Sequence, residues 1–217
     1  PNYKEFYEMR WFASALQLPN ATIELCGQSV TLGRQLVFGC GGFTFGVEIC
    51  EDVWAPTPPS NQLTLSGADI VLNLSASDEL TGKHEYLRTL LAQQSARTMC
   101  GYVYASCGFG ESTQDVVYGG NAIIFENGQL LCEGERFSVQ PQIKITQIDV
   151  ERLRTERRMN STFITAQANA HMETCHVACK LVTPRDFELM RDVDPHPFVP
   201  KADRMGDACE GIVNIQV

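Results

Sequence analysis

The sequence predicts a mixed-sheet α/β layer protein, and three observations carry that expectation. Two strand–helix–strand passages occupy the middle of the chain, with strands apolar enough to be buried on both faces. Hairpin signals follow them. The 217 residues are 44% hydrophobic, which suffices for one sizeable core. Crossovers between buried strands imply parallel, right-handed connections, whereas hairpins imply antiparallel pairs.

Taken in order, residues 3–17 carry Phe6, Met9 and Phe12 or Ala13 at helical spacing. The pattern then turns β-like at A-T-I-E-L (21–25) and G-R-Q-L-V-F-G (33–39), and C-G-G (40–42) reads as a turn into F-T-F-G-V-E-I-C. A-P-T-P-P-S (55–60) breaks regular structure, with Ser60 placed to cap a short helix through Leu65. A-D-I-V-L-N-L (68–74) reads as a buried strand. From Leu80 to Met99, Leu87, Leu90, Leu91 and Gln94 share one helical face. G-Y-V-Y-A-S-C (101–107) is the next strand, and Asn127-Gly128 joins N-A-I-I-F to Q-L-L-C as a hairpin turn. I-K-I-T-Q-I-D-V (143–150) alternates as a half-buried strand, and E-R-L-R-T-E-R-R begins a charged helix. Beyond Asp186, three prolines and scattered charges in P-H-P-F-V-P-K-A-D-R-M-G-D indicate a linker. The expected division is therefore 1–185 and 186–217.

Composition narrows the function. With 17 basic and 26 acidic residues the net charge is −9, which argues against nucleic acid and anionic membrane as partners. The apolar stretches are too interrupted for a membrane span, and P-N-Y-K-E-F-Y-E has no signal-peptide pattern. Nine cysteines (26, 40, 50, 100, 107, 132, 175, 179, 209) lie mostly within apolar stretches rather than in a disulfide framework. A reducing, cytoplasmic setting is the expectation, with most thiols acting as small buried hydrophobes.

Against that background, Cys50 in G-V-E-I-C-E-D-V-W (46–54) stands out. A cysteine ending a strand before a bend sits at the carboxyl edge of a sheet, where open α/β folds hold their sites. Its neighbours Glu48, Glu51 and Asp52 disfavour a thiolate, so a nucleophile here needs a base from elsewhere. Cys107 ends an apolar run in the same way and is a rival. His171, Cys175 and Cys179 fall at four-residue spacing on one helical face, with His176 adjacent; a metal site and a segment of buried small residues are the two readings. G-F-G-E (108–111) is too short for a phosphate loop.

Several spaced motifs, taken together, go further. P-N-Y-K-E-F-Y-E-M-R-W-F (1–12), G-V-E-I-C-E-D-V-W (46–54), L-N-L-S-A-S (72–77), Y-V-Y-A-S-C-G-F-G-E-S-T (102–113) and G-G-N-A-I-I-F-E-N-G (119–128) resemble the nitrilase/amidase, or carbon–nitrogen hydrolase, superfamily. More narrowly they resemble the glutaminase domains of glutamine-dependent NAD synthetases, and H-P-F-V-P (196–200) and C-E-G-I-V-N-I-Q-V (209–217) resemble the passage into their synthetase domain.

That resemblance implies a nitrilase-like αββα sandwich with mixed sheets, incomplete here at its N-terminal side. It also implies a Glu-Lys-Cys triad that hydrolyses amides. Cys50 matches the nucleophile, and Glu5 matches an additional glutamate found just after the catalytic lysine. Tyr3, Glu51, Trp54, Ser77 and Lys83 match positions lining a glutamine pocket. The implied partners are L-glutamine, the synthetase domain of the same parent chain, and further copies in a homo-oligomer. The glutaminase part needs no cofactor or metal, whereas ATP and Mg serve the synthetase domain. The family's catalytic lysine falls just upstream of the residues matching Pro1-Asn2-Tyr3 and its general-base glutamate earlier still; Lys4, after that motif, does not match the lysine. The 217 residues alone are therefore expected to turn over little glutamine. A stand-alone nitrilase or carbamoylase and a non-catalytic assembly module are the alternatives.

Overall fold

The computed structural model describes residues 11–14, 17, 20–111, 116–170, 174–181, 186–196, 198–200 and 204–216. The helix expected over 3–17 falls largely outside them. The described part of the chain divides after Phe187 into two compact units.

The first unit opens with a separate hairpin, β1 (Ala21–Leu25) and β2 (Gln28–Leu32), turned by Cys26 and Gly27 at positive φ. Its main element is a seven-stranded sheet of β3 (Leu36–Gly39), β4 (Thr44–Ile49), β5 (Ile70–Ser75), β6 (Gly101–Ser106), β7 (Ala122–Glu126), β8 (Gln129–Glu133) and β9 (Cys175–Ala178), in spatial order β8-β7-β6-β5-β4-β3-β9. The middle strands β4, β5 and β6 are parallel, and antiparallel neighbours flank them. This is the predicted mixed sheet, and the apolar runs form its centre because both faces of a parallel strand are built to be covered.

The three parallel strands stop level with one another: Ile49 pairs with Leu74, Leu74 with Ala105, and Ser75 with Ser106. Whatever follows them emerges at one edge. Cys50–Trp54 is a short 3-10 turn, and α1 (Pro59–Leu65) and α2 (Lys83–Thr98) pack over one face of the sheet. Val71, Tyr102, Tyr104, Ile123 and Phe125 meet Leu87 and Leu91 in the core. Gly46 lets α1 approach, since a β-carbon there would lie 2.9 Å from a Leu63 methyl. Alternation along each strand leaves Val47, Ile49, Leu72, Leu74 and Val103 on the opposite face.

Three expectations need correction. Ser60 does not cap α1: Pro58 is the N-cap with Pro59 opening the helix, while the Ser60 hydroxyl accepts from Gln94 Nε2 at 2.8 Å. Residues 143–150 form no strand, and Ile143 and Ile145 are exposed. The segment is held at its far end instead, where Ile148 packs against Gly101, Asp149 N donates to Glu126, and Asp149 caps α3 (Val150–Met159) through Arg152 N. The Cys175–Cys179 segment is strand, not helix; His171 lies outside the described residues. A short helix that the sequence reading passed over, α4 (Ser161–Ala168), follows an Asn160 cap.

The second unit contains α5 (Met205–Gln216), within the stretch expected to be a linker. Among the described residues no helix is long and apolar enough to cross a membrane.

Candidate active site

The level ends of β4, β5 and β6 bring chemistry-bearing residues to one edge. Cys50 leaves β4 with φ +50°, in the left-handed region that non-glycine residues avoid. Such a bend turns the residue out of the strand at the sheet edge and needs support from its surroundings. The support is visible. Asp52 Oδ2 accepts from Ile49 N at 2.9 Å, which ties the start of the turn. From below, Asn73 Nδ2 donates to the Cys50 carbonyl at 3.2 Å and to the Tyr102 hydroxyl at 3.1 Å. Tyr102 in turn donates to Glu48 Oε1, and Glu48 Oε2 accepts from Ser60 N at 2.8 Å. A buried polar chain thus links the turn after β4 to β5, β6 and the first residues of α1. Burial pushes the Glu48 carboxyl above its ordinary range, although its hydrogen bonds pull the other way.

The two cysteines that the sequence left in competition stand at the same edge, Cys50 after β4 and Cys107 after β6, with β5 between them. Burial pushes the Tyr104 phenol up to about 12, and the Cys50 thiol adds to that rise. Burial, then Glu111, raises Cys107, and Cys50 contributes there as well. Tyr118 is raised by burial and next by Cys107, with Asp78 and Cys50 adding smaller effects. Thus Cys50, Tyr104, Cys107 and Tyr118 share one electrostatic neighbourhood. Ser75 Oγ lies 2.7 Å from the Tyr104 hydroxyl, and buried Ser77 acts on the same phenol.

Beside this cluster stands a wall with a cation in it. Trp54, at the end of the Cys50 turn, stacks on Tyr86 of α2 with centroids 5.2 Å apart. Lys83 Nζ lies 5.6 Å from the Trp54 ring and donates to both the Asp78 carbonyl (2.7 Å) and Asp78 Oδ1 (3.0 Å). The loop carrying Ser77 and Asp78 is anchored further on. Glu79 pairs with Arg136 at 2.8 Å and accepts from Asn121, whose Oδ1 lies 3.0 Å from His84 Nδ1. The arrangement joins a thiol at a strained turn, a hydroxyl, an aromatic wall and an ammonium group. That set suits attack on the carbonyl carbon of a small polar substrate held by its charged end.

Of the residues singled out by sequence, Cys50, Glu51, Trp54, Ser77 and Lys83 all lie on the turn after β4, the loop after β5 or the start of α2. Tyr3 and Glu5 lie outside the described residues. Sequence reasoning missed Asn73, Asp78, Tyr86 and Tyr104. A signal existed for two of them: Asn73 interrupts an otherwise apolar strand, and Tyr86 stands at helical spacing from Lys83. The described residues hold no group of three His, Cys, Asp or Glu able to bind a metal.

Comparisons with known proteins agree with this architecture. The chain is 39% identical over 226 residues to a glutamine-dependent NAD(+) synthetase of Mycobacterium tuberculosis, an alignment spanning all of this chain and 33% of that protein. It thus spans about a third of the length of this curated relative. The structure superposes on that of a glutamine-dependent NAD(+) synthetase from Cytophaga hutchinsonii with TM-score 0.53 and 29% identity, over 62% of this chain and 21% of that one. A CN-hydrolase superfamily protein from Xanthomonas campestris, at TM-score 0.52 and 16% identity, covers 64% of this chain and 59% of its own, and shares the fold. With the carbon–nitrogen hydrolase model matched over residues 4–158, well over half its length, the chain belongs to the carbon–nitrogen hydrolase family.

Proposed function

We propose that this chain is the glutamine-hydrolysing part of a glutamine-dependent NAD synthetase, with Cys50 as its nucleophile. The observation that supports it best is the position of Cys50, at a left-handed turn on the level edge of three parallel strands. The thiolate attacks the side-chain carboxamide carbon of L-glutamine, and backbone amides of the Cys50 turn receive the developing oxyanion. Collapse of the tetrahedral intermediate breaks the C–N bond, and the nitrogen leaves as ammonia after gaining a proton. Water then attacks the thioester, releasing glutamate and the Cys50 thiol. Lys83 meets the α-carboxylate, Ser77 and Glu51 the remaining polar groups, and Trp54 the aliphatic stem; Tyr3 and Glu5 join from the N-terminal segment. The ammonia feeds ATP-dependent conversion of deamido-NAD to NAD in a synthetase domain. We assign ATP and Mg to that domain and no residue of this chain to either.

Two measurements test the reading. A glutamine-mimicking electrophile should label Cys50 in preference to the other eight thiols, and added L-glutamine should slow that labelling. Equal labelling of Cys107, or no protection, would sink the assignment. Because no residue here matches the family's catalytic lysine or general-base glutamate, the 217 residues by themselves should show little glutaminase turnover. A rate close to that of an intact glutamine-dependent synthetase would overturn that part.

A further inference from the structure

Two thiols away from the Cys50 edge meet where the outermost strand joins the sheet. β3 and β9 run parallel in register, from Leu36 opposite Cys175 to Gly39 opposite Ala178. The ladder continues by one bond, Cys179 N donating to the Gly39 carbonyl at 2.8 Å, so the next facing pair is Cys40 and Cys179. Continuing the alternation of each strand puts Cys40 on the side of Phe38 and Cys179 on the side of Val177, and those two are themselves partners. Adjacent strands lie ~4.8 Å apart, inside the ~4.4–6.8 Å between α-carbons that a disulfide spans. Both cysteines are free thiols. Burial first, and then the Cys179 thiol, raise Cys40 above its ordinary value of 9.0, as two sulfurs in mutual reach require.

We propose that Cys40 and Cys179 form a dithiol that closes to an intramolecular disulfide, clasping edge strand β9 to the sheet. The inference is independent of the role given to Cys50. The oxidant is a low-molecular-weight disulfide such as glutathione disulfide. Half-buried Cys179 loses its proton and attacks it first, forming a mixed disulfide and releasing one glutathione thiolate. Cys40, only 3% exposed, then gives up its proton and attacks the Cys179 sulfur, expelling the second glutathione. Two protein thiols are oxidised, one glutathione disulfide is reduced to two glutathiones, and the two protons end on those leaving thiolates. Cys175, on the same strand as Cys179, faces Leu36 instead of a thiol, and β5 lies between the strands leading to Cys50 and Cys107. The closed loop contains every element from β4 to α4, a span in which cross-linking restricts the unfolded chain strongly.

The test is incubation of the folded chain with glutathione disulfide, alkylation of the remaining thiols, and peptide mapping without reduction. One dominant linkage, Cys40 to Cys179, is expected, with loss of two titratable thiols, reversal by dithiothreitol, and a higher thermal midpoint in the oxidised form. In Cys40→Ser the linkage should vanish and Cys179 should stop at the glutathione adduct. Cys179→Ser, at a half-buried position, should leave Cys40 alkylatable only on unfolding. The proposal is overturned by linkages spread over several cysteines, by a Cys179–glutathione adduct that persists in the unsubstituted chain, or by two thiols that stay reduced while others react.

Discussion

At the scale of single residues, the turn at Cys50 depends on a chain of buried polar groups whose most exposed liability is Glu48. This carboxyl is 2% exposed and accepts from Tyr102 and Ser60. Burial raises it above its ordinary 4.5, so the folded state holds the proton more tightly than the unfolded state does. Below pH 4.5 both states are protonated and Glu48 costs nothing. As pH rises from there toward the folded-state value, ionisation favours the unfolded chain and stability is lost. Glu48→Gln removes the titration and leaves one acceptor fewer. The urea midpoint plotted against pH should therefore become flatter on the acid-to-neutral side, even if it is lower throughout. An unchanged slope would assign that pH dependence to other groups. The sequence marked Cys50 through its own grammar, an apolar run ended by a bend. It could not mark Asn73 or Tyr102 as its supports, because the contacts span 23 residues from Cys50 to Asn73 and a further 29 from Asn73 to Tyr102.

At the scale of elements, legibility followed the range of the forces involved. The parallel strands and the Asn127-Gly128 hairpin were readable because burial on both faces and positive φ each select residue types locally. The Cys175 segment misled for a geometric reason: residues four apart share a side in a helix and also in a strand, where the period is two. Residues 143–150 alternated like a strand but found no neighbour to pair with among the described residues. The join between α3 and the rest was invisible in sequence; Arg154 holds buried Asp69 through two bonds (3.0 and 2.7 Å), and Arg157 reaches deeper. Its guanidinium donates to the carbonyls of Ala68 (2.8 Å), Met99 (3.0 Å) and Thr98 (3.2 Å), and sits 5.2 Å from the Phe163 ring. Burial lowers its affinity for the proton, yet the carbonyls it serves include the last ones of α2, which a helix end leaves without an intrahelical partner. Arg157→Leu should cost about 3 kcal/mol in urea unfolding. Arg157→Lys should recover little, since one ammonium cannot span a fork of three acceptors. A loss within ~0.5 kcal/mol, the range of ordinary surface substitutions, would remove Arg157 from this role.

At the scale of the whole molecule, the unresolved balance lies between an apolar sheet face and net charge. α1 and α2 cover one side of the sheet, whereas on the other side Val47 faces Leu72 and Ile49 faces Leu74, with Ile49 57% and Leu74 58% exposed. Layered α/β folds bury such a face against another layer, and contiguous apolar patches of a few hundred Å2 drive association. The charge of −9 opposes this by repulsion between copies. Repulsion between exposed charges is screened beyond ~10 Å at 0.1 M salt, whereas apolar contact is not. Association should therefore dominate at ordinary ionic strength and grow when salt is added. Light scattering of the 217-residue chain should show a mass that climbs with concentration and with sodium chloride. Leu74→Glu, placing charge in the centre of the face, should return the mass toward that of one chain at every salt concentration. A chain that scatters as a monomer throughout, or a Leu74→Glu variant that associates as strongly as the parent, would show that this face is not what brings copies together.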